Sequence, residues 1–204
     1  MKRSLFAAAA LVLLATSAQA KMFTLHQGKY WQTFATVNTD AGPQCGIYYG
    51  SNIARFYIKW TQRYGMRVQL WKRNWRLAEN AEVPFKMNFR DDAKPDDNQI
   101  LNAPGGWAVP SDAYGTSVFA NIEKDDEAKL LAAFSDADRI AIHFPEGDEP
   151  SWSVKGEGSR KAASEFTKCI SQVQQTAGTQ PVKPQPVKPT QPTGKASVKD
   201  DGGI

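Results

Sequence analysis

Two histidines, His26 and His143, and two cysteines, Cys45 and Cys169, are all that this 204-residue chain carries of either type. Metal centres and nucleophile–histidine hydrolases are built from clusters of these side chains, so the scarcity closes most enzymatic readings. Neither histidine stands at a ligand spacing from a cysteine, and no G-x-S-x-G nucleophile elbow occurs. Gly105-Gly106 and Gly156-Glu157-Gly158 match no phosphate-cradling loop. No metal or cofactor is therefore expected. Past residue 20 no apolar run is long enough to cross a bilayer as a helix, so the expectation is a protein that is not transmembrane. An excess of positive charge is missing too. Of 25 Lys and Arg and 21 Asp and Glu, two bases fall in the first twenty residues and four bases and two acids in the last thirty. Nineteen of each sign remain between them. A nucleic-acid-binding domain shows a basic balance, which this one lacks, so no nucleic-acid partner is expected.

What the chain does have begins at its start. Lys2 and Arg3 precede an apolar run over 5–15, and Ala18-Gln19-Ala20 offers small residues at cleavage positions. A positive n-region, a short h-region and an A-x-A site make a secretory signal peptide over 1–20, cleaved after Ala20. A globular domain over 21–174 follows, then a Pro/Lys/Gln-rich tail over 175–204. That tail repeats Gln-Pro-Val-Lys-Pro at 180–184 and 185–189 and contains no aromatic residue, a composition that favours extended, solvated disorder. The expected location is the periplasm or outside the cell. There disulfides persist, and Cys45 and Cys169 are expected to pair. Closing so long a loop contributes roughly 4–5 kcal/mol in the chain-entropy model.

The domain reads mainly as strands. Aromatic and β-branched runs occupy 30–38 and 45–49. Phe56, Ile58 and Trp60 share one parity, and so do Met66, Val68 and Leu70, with a turn at 62–65 between them. Val83, Phe85, Met87 and Phe89 alternate cleanly, and segments 117–122 and 139–144 repeat the pattern. Period-two alternation argues for antiparallel sheet with one buried face. Two segments switch to helical period. Residues 126–134 begin with acids, and 159–173, with Ser159 as N-cap, place Ala162, Phe166, Cys169, Ile170 and Val173 on one stripe. The rich turn chemistry of 91–112 reads as a long loop. The expected fold is β-rich α+β: an antiparallel β-sandwich or partly open barrel of about seven strands, with a C-terminal helix packed on it.

Charge is strongly segregated along the chain. Residues 51–78 hold seven cations and no acid, whereas 91–149 hold fourteen acids against four bases. With Phe56, Ile58 and Trp60 inward, Arg55, Tyr57 and Lys59 point out; on the partner strand Arg67, Gln69, Trp71 and Arg73 do so, and Trp75 continues that parity. The candidate binding residues are Arg55, Tyr57, Lys59, Arg67, Trp71, Arg73 and Trp75. Arg offers bidentate bonds to carboxylate or phosphate and Trp a stacking surface, so such a face suits an anionic glycan, a lipid headgroup or an acidic protein partner. Two readings stand against it: long amphipathic side chains merely cover a sheet, or the acidic half folds over the basic half and neutralises it.

Other chemistry is weaker. His143 lies opposite the apolar parity of its strand, with Asp148, Glu149 and Ser151 close in sequence, which leaves a small secreted hydrolase as an alternative. Asp91, Asp92, Asp96, Asp97 and Asn98 gather acids without a calcium-loop register. A loop at 103–112 would suit an inhibitor of a secreted enzyme.

Two local patterns carry a resemblance. Trp31 followed by Asp40-Ala41-Gly42-Pro43-Gln44-Cys45 resembles the start of the invasion-associated locus B proteins of alphaproteobacteria. Ile140-Ala141-Ile142-His143-Phe144, Trp152, Gly158-Ser159, Ala162-Ala163, Phe166 and Cys169 are similar to the close of exported envelope proteins that end on a Gly-Ser, Ala, Phe, Cys helix. The locus B family usually has a further cysteine shortly after the early Trp, and here that position holds none. The resemblance implies a β-rich, non-catalytic envelope or host-interaction protein and carries over no catalytic residue.

Overall fold

The computed structural model describes residues 20–179 except 38, 40, 91, 93–98, 104–105 and 113–114. The expected signal peptide before Ala20, the tail beyond Thr179 and all of the loop acids but Asp92 lie outside the described residues.

Eleven strands and two helices follow one another: β1 Lys21–Gln27, β2 Gln32–Val37, β3 Gln44–Gly50, β4 Ala54–Thr61, β5 Gly65–Lys72, β6 Phe85–Arg90, β7 Gln99–Ala103, β8 Trp107–Asp112, β9 Gly115–Asn121, α1 Lys124–Asp136, β10 Arg139–His143, β11 Trp152–Lys155 and α2 Ser159–Thr179. The strands form two antiparallel sheets. A seven-stranded sheet runs β1-β2-β3-β4-β5-β9-β8, and a four-stranded one runs β11-β10-β6-β7. The β-rich α+β expectation is met by two facing sheets, and no barrel closes.

Alternation decides which face each strand buries. Cys45 and Ile47, Phe56, Ile58 and Trp60, Met66, Val68 and Leu70, and Val118 and Ala120 line the inner face of the large sheet. Phe85, Met87, Phe89, Ile140, Ile142 and Val154 oppose them from the small one, and all belong to one core. Removing this apolar area from water, at about 25 cal/mol per Å², is the main force holding the sheets together. Trp31 sits fully buried at its centre. Its ring meets Phe134 edge-on at 4.7 Å, and its Nε1 donates to Lys155 O at 2.9 Å, so the indole leaves no polar atom orphaned.

Helix α2 packs on β2 and β3 and against α1. Ala162, Phe166 and Cys169 are its buried stripe, and Cys169 is bonded to Cys45 across 124 residues with the Cα atoms 6.0 Å apart. The expected disulfide therefore staples this helix to the large sheet. Ser159 is the first residue of the helix rather than its cap. Gly158 precedes it at a φ of +89°, and the Ser159 hydroxyl donates to Ser135 O, tying α2 to the end of α1. The helix also runs to Thr179, past the expected start of the tail.

The segment 91–112, expected to be a loop, contains β7 and β8. The first pairs with β6 in the small sheet and the second with β9 in the large one, so this stretch crosses between the sheets. Strands β1 and β11 also differ from the expected pattern, in which neither segment reads as a strand. Almost all of β1 is exposed, and it is held by main-chain pairing to β2 rather than by burial.

Candidate binding face

The register of the large sheet lays out its outer face as three rows. One row reads Phe34, Gly46, Lys59, Arg67, Asn121 across β2, β3, β4, β5 and β9. The next reads Gln32, Tyr48, Tyr57, Gln69, Phe119, Trp107, and the third Gly50, Arg55, Trp71, Ser117, Val109. Directly opposed side chains in such a ladder stand about 5 Å apart. The 62–64 turn between β4 and β5, closed by Gly65 at a φ of +66°, sets Lys59 against Arg67.

Two glycines flatten this face. A Cβ at Gly46 would lie 2.2 Å from the Phe34 ring, so only glycine lets Phe34 lie across β3 and meet Tyr57 edge-on at 6.5 Å. Gly115 does the same for Trp71, whose ring lies over it while the Arg55 guanidinium sits 4.7 Å above that ring. The result is an aromatic group on each side, Phe34, Tyr48 and Tyr57 on one and Trp71, Phe119 and Trp107 on the other. Lys59, Arg67 and Gln69 lie between them.

That polar centre is electrostatically uncompensated. Lys59 is largely desolvated, and burial together with the neighbouring Arg67 charge pushes its pKa down to about 8. Arg67 is lowered by burial as well, and its guanidinium lies over the rings of Tyr64, at 4.4 Å, and Phe119, at 5.6 Å. Burial raises the Tyr57 phenol, more than the nearby Arg55 draws it down. Among the described residues no carboxylate pairs with Lys59 or Arg67. Gln69 is 7% exposed; its Nε2 donates to Ser117 Oγ at 2.7 Å, and its Oε1 is buried with no partner.

Of the seven candidate binding residues, Arg55, Tyr57, Lys59, Arg67 and Trp71 share this face. Trp71 lies beneath Arg55 and is itself buried, so it serves as floor rather than as an exposed stacking plate. Arg73 is exposed in the turn after β5, its N–H bonded to Ile53 O. Trp75 is elsewhere. Parity holds only while the strand continues, and the turn after Lys72 sends the Trp75 ring into the core, where it stacks on Trp152 at 5.3 Å and meets Phe144 edge-on at 5.7 Å. Phe34, Tyr48, Phe119, Trp107 and the two glycines carry no such signal in the sequence, because only the register of six strands brings them beside β4 and β5.

The acidic half reaches the basic half through two described carboxylates: Glu127 Oε1 accepts from the Met66 backbone N–H at 2.9 Å, and Glu149 meets a lysine. Glu149 accepts hydrogen bonds from Lys72 Nζ at 2.8 Å, Trp75 Nε1 at 2.8 Å and Trp152 Nε1 at 2.7 Å. Burial alone would raise this carboxyl, but those bonds and the Lys72 charge outweigh it and hold the pKa below its ordinary value. The contact lies off the outer face and leaves Lys59 and Arg67 as they are.

His143 Nδ1 lies 2.8 Å from Ser151 Oγ, on the exposed side of the small sheet. Ser151 is the only hydrogen-bond partner of the His143 ring among the described residues, so no described carboxylate orients the ring. No helix of the described residues is long and apolar enough to cross a membrane. No family model, no curated protein and no solved structure matches the chain.

Proposed function

We propose that the protein is an exported, non-catalytic binding factor of the cell envelope or of host interaction, which captures an anionic partner on the outer face of its large sheet. The resemblance to locus B-like envelope proteins, the signal-like first twenty residues and the Cys45–Cys169 bond support export to an oxidising compartment. One observation carries the binding reading: Lys59 and Arg67 oppose each other, half-buried among aromatic rings, with no described carboxylate between them. Like charges directly opposite in a ladder destabilise it, and a desolvated ammonium costs more still. A bound anion turns both penalties into attractions. Charge-assisted bonds to a partly desolvated anion are among the stronger polar contacts a protein surface makes.

The test is retention of purified protein on negatively charged and neutral matrices, followed by capture from envelope extract. Retention on the anionic matrix should fall steeply between low salt and physiological salt, where screening extends over about 8–10 Å. The double variant Lys59→Gln, Arg67→Gln should lose it while His143→Ala keeps it. Equal retention of wild type and double variant would refute the reading. An activity abolished by His143→Ala would instead favour the His143–Ser151 pair as a hydrolytic centre.

A further inference from the structure

Resting on that reading, we infer that Lys59, Arg67 and Gln69 form a subsite for an acidic sugar, a uronate unit of an envelope or host polysaccharide, rather than for a lipid phosphate. Three features of the outer face bear on the choice. The first is charge. Lys59 and Arg67 stand opposite in adjacent strands, so one carboxylate can take a fork bond from the guanidinium and a second contact from the ammonium.

The second feature is a demand that an anion alone leaves unmet. The Gln69 amide is more than nine-tenths buried and donates to Ser117, while its Oε1 accepts nothing. A buried acceptor without a donor is costly, so a ligand that parts the flanking side chains and donates a hydrogen bond to this oxygen gains over one that carries negative charge alone. A dialkyl phosphate or a sulfate has acceptors only. A uronate unit has a carboxylate and hydroxyl donors on one ring. The row spacing suits it, because Gln69 lies two residues along β5 from Arg67, about 7 Å away, which is the span of one pyranose with its substituents.

The third feature is the pair of aromatic groups. Tyr48 and Tyr57, with ring centroids 5.1 Å apart, lie on one side of Gln69 in its own row. Phe119 and Trp107, stacked at 6.2 Å, lie on the other. Sugars carry apolar C–H faces that stack on such rings, so a chain of sugars can run along this row with its acidic unit at the centre. The cationic pair then accounts for charge, the amide for a hydroxyl and the rings for the neighbouring units.

Binding of oligogalacturonate and alginate oligosaccharides to the purified protein, read by calorimetry, tests this against methyl-esterified oligogalacturonate, inorganic sulfate and dihexadecyl phosphate vesicles, whose headgroup is a phosphate with no hydroxyl donor. The free-acid oligosaccharides should bind, and the methyl ester should bind at least tenfold more weakly. Lys59→Met and Arg67→Gln should each cost tenfold or more. Gln69→Leu should cost several-fold on the oligosaccharides and leave sulfate binding unchanged, with circular dichroism showing that each variant is folded. If vesicles or sulfate bind through Lys59 and Arg67 while no uronate oligosaccharide binds better, the sugar assignment is overturned and the anion-binding face stands. If no anion in the panel binds, both fall. Unchanged uronate binding by Gln69→Leu overturns the acceptor role of that amide.

Discussion

Replacing Lys59 with Met should make the unliganded protein more stable. Met follows nearly the same path as a lysine stem and adapts to irregular surroundings, so packing beside the Tyr57 ring, which the Lys59 ammonium overlies at 4.5 Å, is largely kept. What is lost is an ammonium whose pKa has fallen from 10.5 to about 8, chiefly through burial and secondarily through Arg67. Each unit of that depression is about 1.4 kcal/mol against the charged form, roughly 3 kcal/mol in all. Water still reaches part of the side chain, so a gain of about 1–2 kcal/mol at pH 7 is the discounted expectation. The pH dependence makes the reasoning specific. Between about pH 8 and 10.5 the unfolded chain holds the Lys59 proton more tightly than the folded one. Wild-type stability from this group therefore rises across that window, and its full penalty applies only below it. Urea denaturation followed by tryptophan fluorescence at pH 7 and pH 10.5 measures the difference. The Met variant should be the more stable at pH 7, and the gap should shrink towards zero at pH 10.5. A variant less stable than wild type at pH 7, or a gap that is the same at both pH values, would refute the claim that Lys59 is a desolvated, unpaired cation. Stability gained together with ligand binding lost is the signature of a charge kept for function.

Reducing the Cys45–Cys169 bond, or replacing both residues with Ala, should lower unfolding stability by about 5 kcal/mol on loop-closure entropy, since the bond spans 124 residues. Phe166 and Ala162 stay buried against the sheet, so a folded reduced form is expected in the absence of urea, and an unchanged urea midpoint would sink the argument. Glu149→Ala should cost roughly 2–3 kcal/mol by leaving Lys72 and two indole N–H groups without their acceptor. Because the folded pKa of Glu149 is depressed, the stability it supplies is present above the ordinary carboxylate range and lost as pH falls through the folded value, so variant and wild type should converge in acid.

Much of the architecture is written locally. With only two cysteines behind a signal-like start, the disulfide is expected from counting, and the helix stripe at Ala162, Phe166 and Cys169 from periodicity. The inward parity of Phe56, Ile58 and Trp60, of Met66, Val68 and Leu70, and of Phe85, Met87 and Phe89 is likewise legible, because one buried face forces alternation. The strands not legible in the sequence are those without this signal. β1 is exposed on both faces, and β7 and β8 sit among turn residues; each is held by main-chain bonds to the strand next to it in the chain rather than by a buried apolar face.

The candidate face divides along the same line. Its cations and the absence of acids over 51–78 are properties of the sequence, and so is the outward parity of Arg55, Lys59, Arg67 and Gln69. The sequence could not say that Trp75 turns into the core or that Glu149 engages Lys72 instead of Lys59. Nor could it bring Phe34 and Phe119, from β2 and β9, to flank a lysine on β4. Parity depends on neighbours two residues apart and is set by the chain itself. Pairing partners, burial depth and the company a charge keeps depend on contacts between residues tens of positions apart, and only the tertiary structure decides those.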